Sequence, residues 1–458
     1  MTLAEQCASS SLEALGYKPK FKRVLRLRDL IIYGLVILTP TAPYPVYGII
    51  EKVSLGHAAL AYLVAMVAML FTATSYGRMS GAFPVAGSTY TYAQRSLSEH
   101  VGFLAGWAMM LDYFLIPLLS VIYAALLAAR YVPQVPYMAW AVFFTIAITL
   151  INIRGIKMTA RANDVMMVSL SFSAILFVVL AAHFITASHG WGGLIVPHAV
   201  YNPATFELRP MMLGAGIATL SYIGFDAIST LAEDVDNPER NIAIATVSVC
   251  ILQALFCVVQ VYLAEIVWPN YHTFPSVDTA ILDIGRLMGG PLMMGWITFV
   301  LLVAGLGSAL TGQAGASRLL FGMGRDGVIS RRIFAYVDEK HSTPTRSIYF
   351  MGGVTLLGAI LIRFQLAVEL LNFGAFVGFI LVNLSVIRHY YLRQRQRSGL
   401  GVLTNLIFPT LGALVCSYVW MSLSTPAKIV GFIWLGLGVA YLAYLTKGFR
   451  SSPIKLEI

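Results

Sequence analysis

Long apolar blocks, separated by short polar and basic segments, dominate the pattern along the chain. A bilayer core takes about 20 apolar residues for each helical crossing, and blocks of that length recur about twelve times. We place the predicted spans near residues 30–50, 56–77, 100–128, 136–153, 163–187, 211–232, 243–267, 291–317, 346–362, 366–387, 402–421 and 427–446. The pattern therefore predicts an all-α, polytopic membrane protein.

The composition agrees with a membrane protein, and the motifs that are absent exclude several classes of function. The 458 residues are 58% hydrophobic and 11% charged, and the mean hydropathy of +0.77 is far above that of water-soluble folds. No GxxxxGK[ST], HExxH or CxxC motif occurs. The sequence therefore lacks the usual motifs for nucleotide hydrolysis, for the commonest zinc sites and for dithiol redox chemistry. We expect no enzyme activity, no cofactor and no metal.

The basic residues indicate how the chain is oriented. Lys and Arg number 31 against 21 Asp and Glu, for a net charge of +10, and they concentrate in alternate loops such as 154–161 and 388–397. Because cationic loops are retained in the cytoplasm, both termini are predicted to be cytoplasmic. The surplus charge thus reflects topology and not nucleic acid binding. The composition suits a bacterial cytoplasmic (inner) membrane, and either a monomer or a homodimer is expected.

Two of the apolar blocks contain residues that disfavour a continuous helix. The first holds Pro40, Pro43 and Pro45, and the sixth holds Gly224 followed by Asp226. Irregular backbone inside a membrane must be packed in protein or line a wet cavity. The breaks are five helices apart, as in an inverted repeat of five helices plus five that holds its ligand between the broken helices. Two Pro-kinked helices without a ligand are the alternative.

The spacing of the breaks also suggests how the chain is organised. We predict a cytoplasmic N-terminal tail over 1–28, a transporter domain over 29–446 and a cytoplasmic C-terminal tail over 447–458. Within the transporter domain we predict a first repeat over 29–187, a second over 211–388, and helices 11 and 12 over 402–446.

Several motifs resemble those of the amino acid, polyamine and organocation (APC) permease superfamily. They are Gly77–Tyr92, Gly102–Trp107, Leu111–Tyr113, Ser221–Asp226, Asn237–Ile242 and Ser317–Gly327. Within the superfamily, the chain is most similar to bacterial putrescine importers, in Leu38–Pro40, Tyr90–Gln94, Leu111–Tyr113, Gly224–Asp226 and Asn372–Ala375. The resemblance implies a LeuT-like fold of ten core helices plus two. It also implies substrate movement driven by a proton gradient, a sodium gradient or exchange.

One departure from the superfamily pattern bears on the substrate. In its amino acid carriers, a Gly-x-Gly at the first break receives the substrate carboxylate on bare backbone amides. Here the stretch is Pro40-Thr41-Ala42-Pro43, and proline offers no amide hydrogen. This favours a ligand that carries amines only, namely putrescine or a related polyamine. An amino acid permease, cationic or neutral, is the main alternative, and a transporter-like receptor is a more distant one.

Two acids are the candidate ligands of a cationic substrate. A cation entering a low-dielectric cavity needs a fixed counter-charge, and Asp226 occupies the place where the resemblance puts a carboxylate of polyamine and arginine carriers. Its alternative role is a hydrogen-bonded carboxyl that stabilises the broken helix. Asp112, predicted midway along the third helix, is expected to take the second amine or a proton. An acid before Tyr is, however, common in the superfamily irrespective of substrate.

The remaining candidates are predicted to form the walls of the site, with simple packing as their alternative. Tyr113, Tyr222 and Phe225 would cover the ligand methylenes. Ser308 and Thr311 would line the cavity or ligate sodium, unless they bond one turn back within their helix. The other predicted substrate-binding positions are Thr39, Pro40, Thr41, Ala42, Pro43, Ser221, Gly224 and Asn372. We expect coupling to protons rather than sodium, and we expect Glu265 to lie at the membrane interface.

Overall fold

The computed structural model describes residues 25–83, 88–154, 160–231, 235–325, 329–338 and 343–451. Most of the predicted N-terminal tail, the end of the predicted C-terminal tail, and residues 84–87 and 326–327 of two quoted motifs lie outside these ranges. The helices are α1 Leu27–Leu38, α2 Tyr47–Val53, α3 Ala58–Ala82, α4 Ser88–Ser96, α5 Glu99–Tyr131, α6 Tyr137–Ile153, α7 Ala160–His189, α8 Leu208–Ala218, α9 Pro238–Val267, α10 Ala280–Arg325, α11 Thr345–Leu361, α12 Phe364–Val386, α13 Phe408–Ser422 and α14 Thr425–Leu445. The described part of the chain contains no β-strand beyond isolated bridges.

These helices follow the apolar pattern closely. Among the described residues, nine helical segments are long and apolar enough to cross a membrane, and α6 and α11 are shorter apolar helices. The largest difference from the predicted spans is α10, which begins at Ala280 and not near residue 291. Gly290 interrupts its helical backbone with φ 68°, and Pro291 follows. A short helical segment therefore precedes the span, and glycine supplies the bend because it tolerates positive φ.

The first predicted break is present and is held by a neighbouring helix. The backbone leaves the helix after α1, with Thr39 at φ 56°, and becomes helical again at α2. Gln253, on α9, donates its amide to the Leu38 and Thr39 carbonyls at 3.3 and 3.0 Å. Gln260, two turns later, donates to the Pro40 carbonyl at 2.8 Å. The carbonyls exposed by the prolines thus gain donors in a region where lipid supplies none.

The second predicted break lies after α8. A 3₁₀ segment, Thr219–Tyr222, is followed by Gly224 at φ 120° and a second 3₁₀ segment, Phe225–Leu231. A Cβ at Gly224 would meet the Ile37 side chain of α1. Glycine is therefore required twice here, for its backbone conformation and for the contact between the two broken helices.

Small residues let the helices of the core approach closely. A Cβ at Gly77 on α3 would lie 2.6 Å from that of Ala243 on α9, and a Cβ at Gly374 on α12 would lie 2.6 Å from the Ala108 carbonyl oxygen on α5. A Cβ at Gly378, one turn further along α12, would lie 2.9 Å from the Met109 sulfur. The GxxxG spacing thus serves close helix packing.

We call the end of the bundle at which α1 and α5 begin the near end, and the opposite end the far end. Arg130, at the end of α5, forms a 2.6 Å ion pair with Asp283, at the start of α10. Arg78, at the end of α3, donates to Asn405, ahead of α13, at 2.6 Å. At each end of the bundle, an arginine side chain thus connects two helices, by an ion pair at the far end and by a hydrogen bond at the near end.

A glycine in α2 tests how tightly the second half of the first broken helix is packed. A Cβ at Gly48 would lie 2.7 Å from that of Ala280 and would collide with the Val277 carbonyl oxygen. We expect Gly48→Ala to lower the free energy of unfolding by about 1–3 kcal/mol through overpacking. Thermal unfolding of the purified protein in detergent measures the loss. Gly436→Ala on α14, where a Cβ meets nothing within 4 Å, is the control, and equal shifts in the two variants would contradict the packing.

Candidate functional site

A cavity of about 250 Å³ lies between the two helix breaks. Its walls come from the first break, α5, the start of the second break, α10 and the beginning of α12. The lining residues are mostly apolar, and they include Ile37, Thr39, Thr41, Ala42, Ile116, Ser120, Tyr123, Leu220, Ile223, Leu301, Ser308, Phe364 and Leu371. The two breaks therefore enclose space for a small ligand with a hydrocarbon body.

The two candidate acids lie together, just beyond one end of this cavity. Asp112 precedes the lining residue Ile116 by one turn of α5, and Asp226 follows the lining residue Ile223 by three residues. Since α5 and the sixth helix run in opposite directions, both acids are displaced from the cavity toward the near end. Their charges interact with each other. The structure thus brings the two predicted ligands to one level of the bundle.

Asp112 is buried with unused hydrogen-bonding capacity. It is 6% exposed, and within the described residues its Oδ1 has no hydrogen-bond partner. The same oxygen would lie 3.5 Å from a Cβ at Gly374, so the close approach of α12 covers the carboxylate. A buried carboxylate without a partner is unfavourable, and a proton or a ligand ammonium group would relieve it.

Asp226 is half-buried, and one of its oxygens is used locally. Its Oδ1 accepts from the Gly224 amide at 3.2 Å, while the Asp226 carbonyl accepts from the Ser229 hydroxyl at 2.6 Å. The carboxylate therefore stabilises the broken helix, as its alternative role required. A carboxylate oxygen accepts more than one hydrogen bond, so this role leaves capacity for a cation.

The aromatic candidates divide into two groups. The ring of Tyr113 is 40% exposed, and it lies within electrostatic reach of both acids. Tyr222 is instead fully buried and donates its hydroxyl to the Tyr62 carbonyl at 3.1 Å. Phe225 is also fully buried, with its ring centroid 5.4 Å from that of Tyr76. The last two pack helices together, because the 3₁₀ geometry of the break turns them toward α3.

At the first break, side chains line the cavity, whereas few backbone amides are free to donate to a ligand. Thr39, Thr41 and Ala42 line the cavity, whereas Pro40 and Pro43 do not. The Ala42 amide donates to the Thr39 carbonyl at 3.1 Å, and the Tyr44 amide donates to the Thr41 carbonyl at 3.0 Å. These amides are engaged in turns and are not presented to a carboxylate.

The polar candidates on the remaining helices differ in position. Ser308 lines the cavity, but Thr311 donates within α10 to the Gly307 and Ser308 carbonyls at 3.0 and 3.1 Å. Asn372 is fully buried and donates to the Gly216 carbonyl of α8 at 2.6 Å. Asn372 therefore holds the sixth helix at its break. Ser221 contacts the Tyr62 hydroxyl at 3.0 Å.

Most residues of the cavity wall were not predicted from the sequence, and two of them are aromatic. Tyr123 on α5 stacks on Phe364 at the start of α12, with ring centroids 5.2 Å apart, and both line the cavity. Asp112, Ile116 and Tyr123 share one face of α5, since they are spaced by one and by two further turns. That spacing is the signal that identifies Tyr123. Phe364 also lines a second cavity of about 800 Å³ toward the far end, so this stacked pair separates the two spaces.

The glutamines at the first break provide a test of the framework of the site. Gln260→Leu removes the donor to the Pro40 carbonyl, and a buried carbonyl without a partner costs about 1–3 kcal/mol. We expect a lower unfolding temperature for this variant in detergent. Gln394→Leu, at an exposed position bonded to His389, is the matched control and is expected to unfold as the wild type does. Unchanged stability of Gln260→Leu would contradict the bracing role.

Known proteins resemble the chain over nearly its whole length. The family model described as amino acid permease matches residues 46–449. The chain is 32% identical over 439 residues to the low-affinity putrescine importer PlaP of Escherichia coli K12. This alignment covers 96% of this chain and 97% of the importer. It is 26% identical to the branched-chain amino acid permease BcaP of Bacillus subtilis, over 95% of this chain and 96% of the permease.

The fold also has a counterpart among solved structures. MhsT, in complex with L-phenylalanine, superposes with a TM-score of 0.58 at 17% identity, over 88% of this chain and 99% of MhsT. The structure is nearly all helical, with its first and sixth spans interrupted. The predicted LeuT-like fold with broken helices is confirmed.

Proposed function

We propose that this chain, which belongs to the amino acid permease family, is a secondary transporter that imports a small organic cation by alternating access. Putrescine or a related polyamine is the proposed substrate. The relatives are multi-pass membrane transporters of small molecules, and the chain is accordingly proposed to transport and not to catalyse. The predicted APC superfamily membership is confirmed by this match and by the similarity to PlaP.

The observation that carries the proposal is the pair of acids at one level of the bundle. Asp112 has an oxygen without a partner among the described residues, and Asp226 faces it closely enough for their charges to interact. Like charges at a poorly solvated site repel each other. A substrate ammonium group placed there supplies the missing counter-charge, and Tyr113 offers an aromatic face beside it.

The cavity and the first break support an amine-only ligand. The walls next to the acids are mostly hydrocarbon, which suits the methylenes of a diamine. The break amides of Ala42 and Tyr44 are engaged in turns, and Pro40 and Pro43 have no amide hydrogen, so few backbone donors are left for a substrate carboxylate. Ser120 and Ser308, further along the cavity, are the proposed partners of the second amine.

We further propose proton coupling, cytoplasmic termini and a bacterial inner-membrane location. The distribution of basic loops supports the cytoplasmic termini, and the similarity to an Escherichia coli importer supports the location. A monomer or a homodimer is consistent with both. The alternative function is amino acid permease, and it is favoured by the similarity to BcaP. In that case the carboxylate would be received by side chains such as Thr41, and not by break amides.

Competition for uptake distinguishes the two functions. We expect proteoliposomes with the purified protein to accumulate labelled putrescine under an inward proton gradient. Excess unlabelled putrescine is expected to abolish the signal, whereas alanine or leucine leaves it unchanged, because neither offers a second ammonium group. Protein-free liposomes are the control. Uptake of leucine without uptake of putrescine would establish the amino acid alternative.

Substitution of the acids tests their role directly. Asp226→Asn and Asp112→Asn are each expected to reduce putrescine uptake by about tenfold to a hundredfold, since a charge-assisted hydrogen bond contributes about 1.5–3 kcal/mol. Asp226→Glu is expected to retain more uptake than Asp226→Asn. Asp236→Asn, on an exposed loop, is the matched control. Full uptake by both Asn variants would exclude these carboxylates as amine ligands.

A further inference from the structure

Two other carboxylates are buried close together, toward the far end of the bundle and away from the central cavity. Glu51 on α2 is 1% exposed, and Glu265 near the end of α9 is 7% exposed. Their charges interact with each other. Neighbouring protein covers the Glu265 side chain, and its expected position at the membrane interface stays a prediction.

A tyrosine on α2 belongs to the same cluster. Tyr47 lies one turn before Glu51, is fully buried and interacts electrostatically with both carboxylates. Within the described residues, neither the Tyr47 hydroxyl nor Oε2 of Glu265 has a hydrogen-bond partner. Glu51 accepts a single hydrogen bond, at 3.2 Å, from the Ala58 amide. Among the described residues, the cluster thus has two polar atoms without a partner in a covered space.

No cation from the described protein balances this pair. Neither carboxylate takes part in an ion pair in the part of the chain that the structure describes. The nearby cations Lys52 and Arg363 act on Asp278 instead. His57 is engaged with the Ser54 carbonyl at 2.9 Å, and Tyr271 is the other titratable group that faces Glu51.

Charge balance then requires a bound cation. Two ionised carboxylates that share a dry site repel each other strongly, whereas one proton bound by the pair halves its charge. The Tyr47 hydroxyl can donate to an oxygen that remains ionised. We propose that Glu51 and Glu265, with Tyr47 as donor, form a proton-binding site separate from the central site.

The position of the site suggests what the proton does. Glu51 belongs to the second half of the first broken helix, and Glu265 belongs to α9, which also carries the glutamines that hold the break. Loss of the proton introduces repulsion between α2 and α9, and its binding removes that repulsion. The proton site stands on the burial and charge of the pair alone, whereas its role in coupling rests on the proposed transport function.

Thermal unfolding of the purified full-length protein tests the proton site without any substrate. Between about pH 5 and pH 9 we expect the unfolding temperature of the wild type to fall as the pH rises, because release of the shared proton leaves two buried like charges. Glu265→Gln and Glu51→Gln are each expected to lose most of this fall, and Glu265→Asp is expected to keep it. Glu207→Gln, exposed at the start of α8, is the matched control.

Two results would overturn the assignment. One is the same pH dependence in the wild type and in both Gln variants. The other is stabilisation of the wild type by sodium, relative to N-methyl-D-glucamine, that both Gln variants lack, since it would make the occupant a metal ion. If Glu265→Gln does not fold, the pH dependence of the unfolding temperature of Glu51→Gln decides between the same outcomes.

Transport measurements then test the coupling role. Glu265→Gln is expected to retain putrescine exchange at equal pH on both sides and to lose accumulation above equilibrium under an inward proton gradient. Accumulation at the wild-type level would exclude the pair from coupling. Failure of the wild type to transport putrescine would reject the proposed function, and the unfolding curves would still decide whether the pair binds a proton.

Discussion

The structure depends on satisfying the backbone carbonyls that two interrupted helices expose within the membrane. Lipid offers no donors, so the donors come from side chains on helices that do not themselves break. Gln253 and Gln260 on α9 serve the first break. Asn372 on α12 serves the Gly216 carbonyl at the second. Each break is thus held by an intact helix, and the intact helices determine where the broken ones can lie.

These side-chain hydrogen bonds to the breaks determine what kind of site can form between them. The Leu38 and Thr39 carbonyls accept from the Gln253 amide, and the amides of Ala42 and Tyr44 close turns. Backbone groups at the first break are therefore largely committed to the protein. Under the proposed function, recognition is left to side chains, and Asp112 and Asp226 are the acids beside the cavity. A site built this way favours a cation over a carboxylate, since its fixed charges are negative.

The spans could be predicted from the length of the apolar segments. Both breaks could be predicted because proline and glycine disfavour a continuous helix locally. Asp112 and Asp226 were identified as candidate ligands from the sequence, but their placement at one level of the bundle was not predicted. The orientation of single side chains could not be predicted. Tyr222 and Asn372 face neighbouring helices because of tertiary contacts that no local pattern encodes. The burial of Glu265 was not predicted either, since its cover comes from distant segments.

The first broken helix joins the two acidic sites physically. Tyr33, in its first half, interacts electrostatically with Asp226, and Glu51, in its second half, interacts with Glu265. The segment between the halves is held to α9 by the glutamines and not by a continuous helix. Coupling between two sites requires an element whose equilibrium both sites bias. A cation beside Asp226 and a proton at Glu51 would act on opposite sides of one hinge, which makes this helix the element through which binding at one site can alter the other.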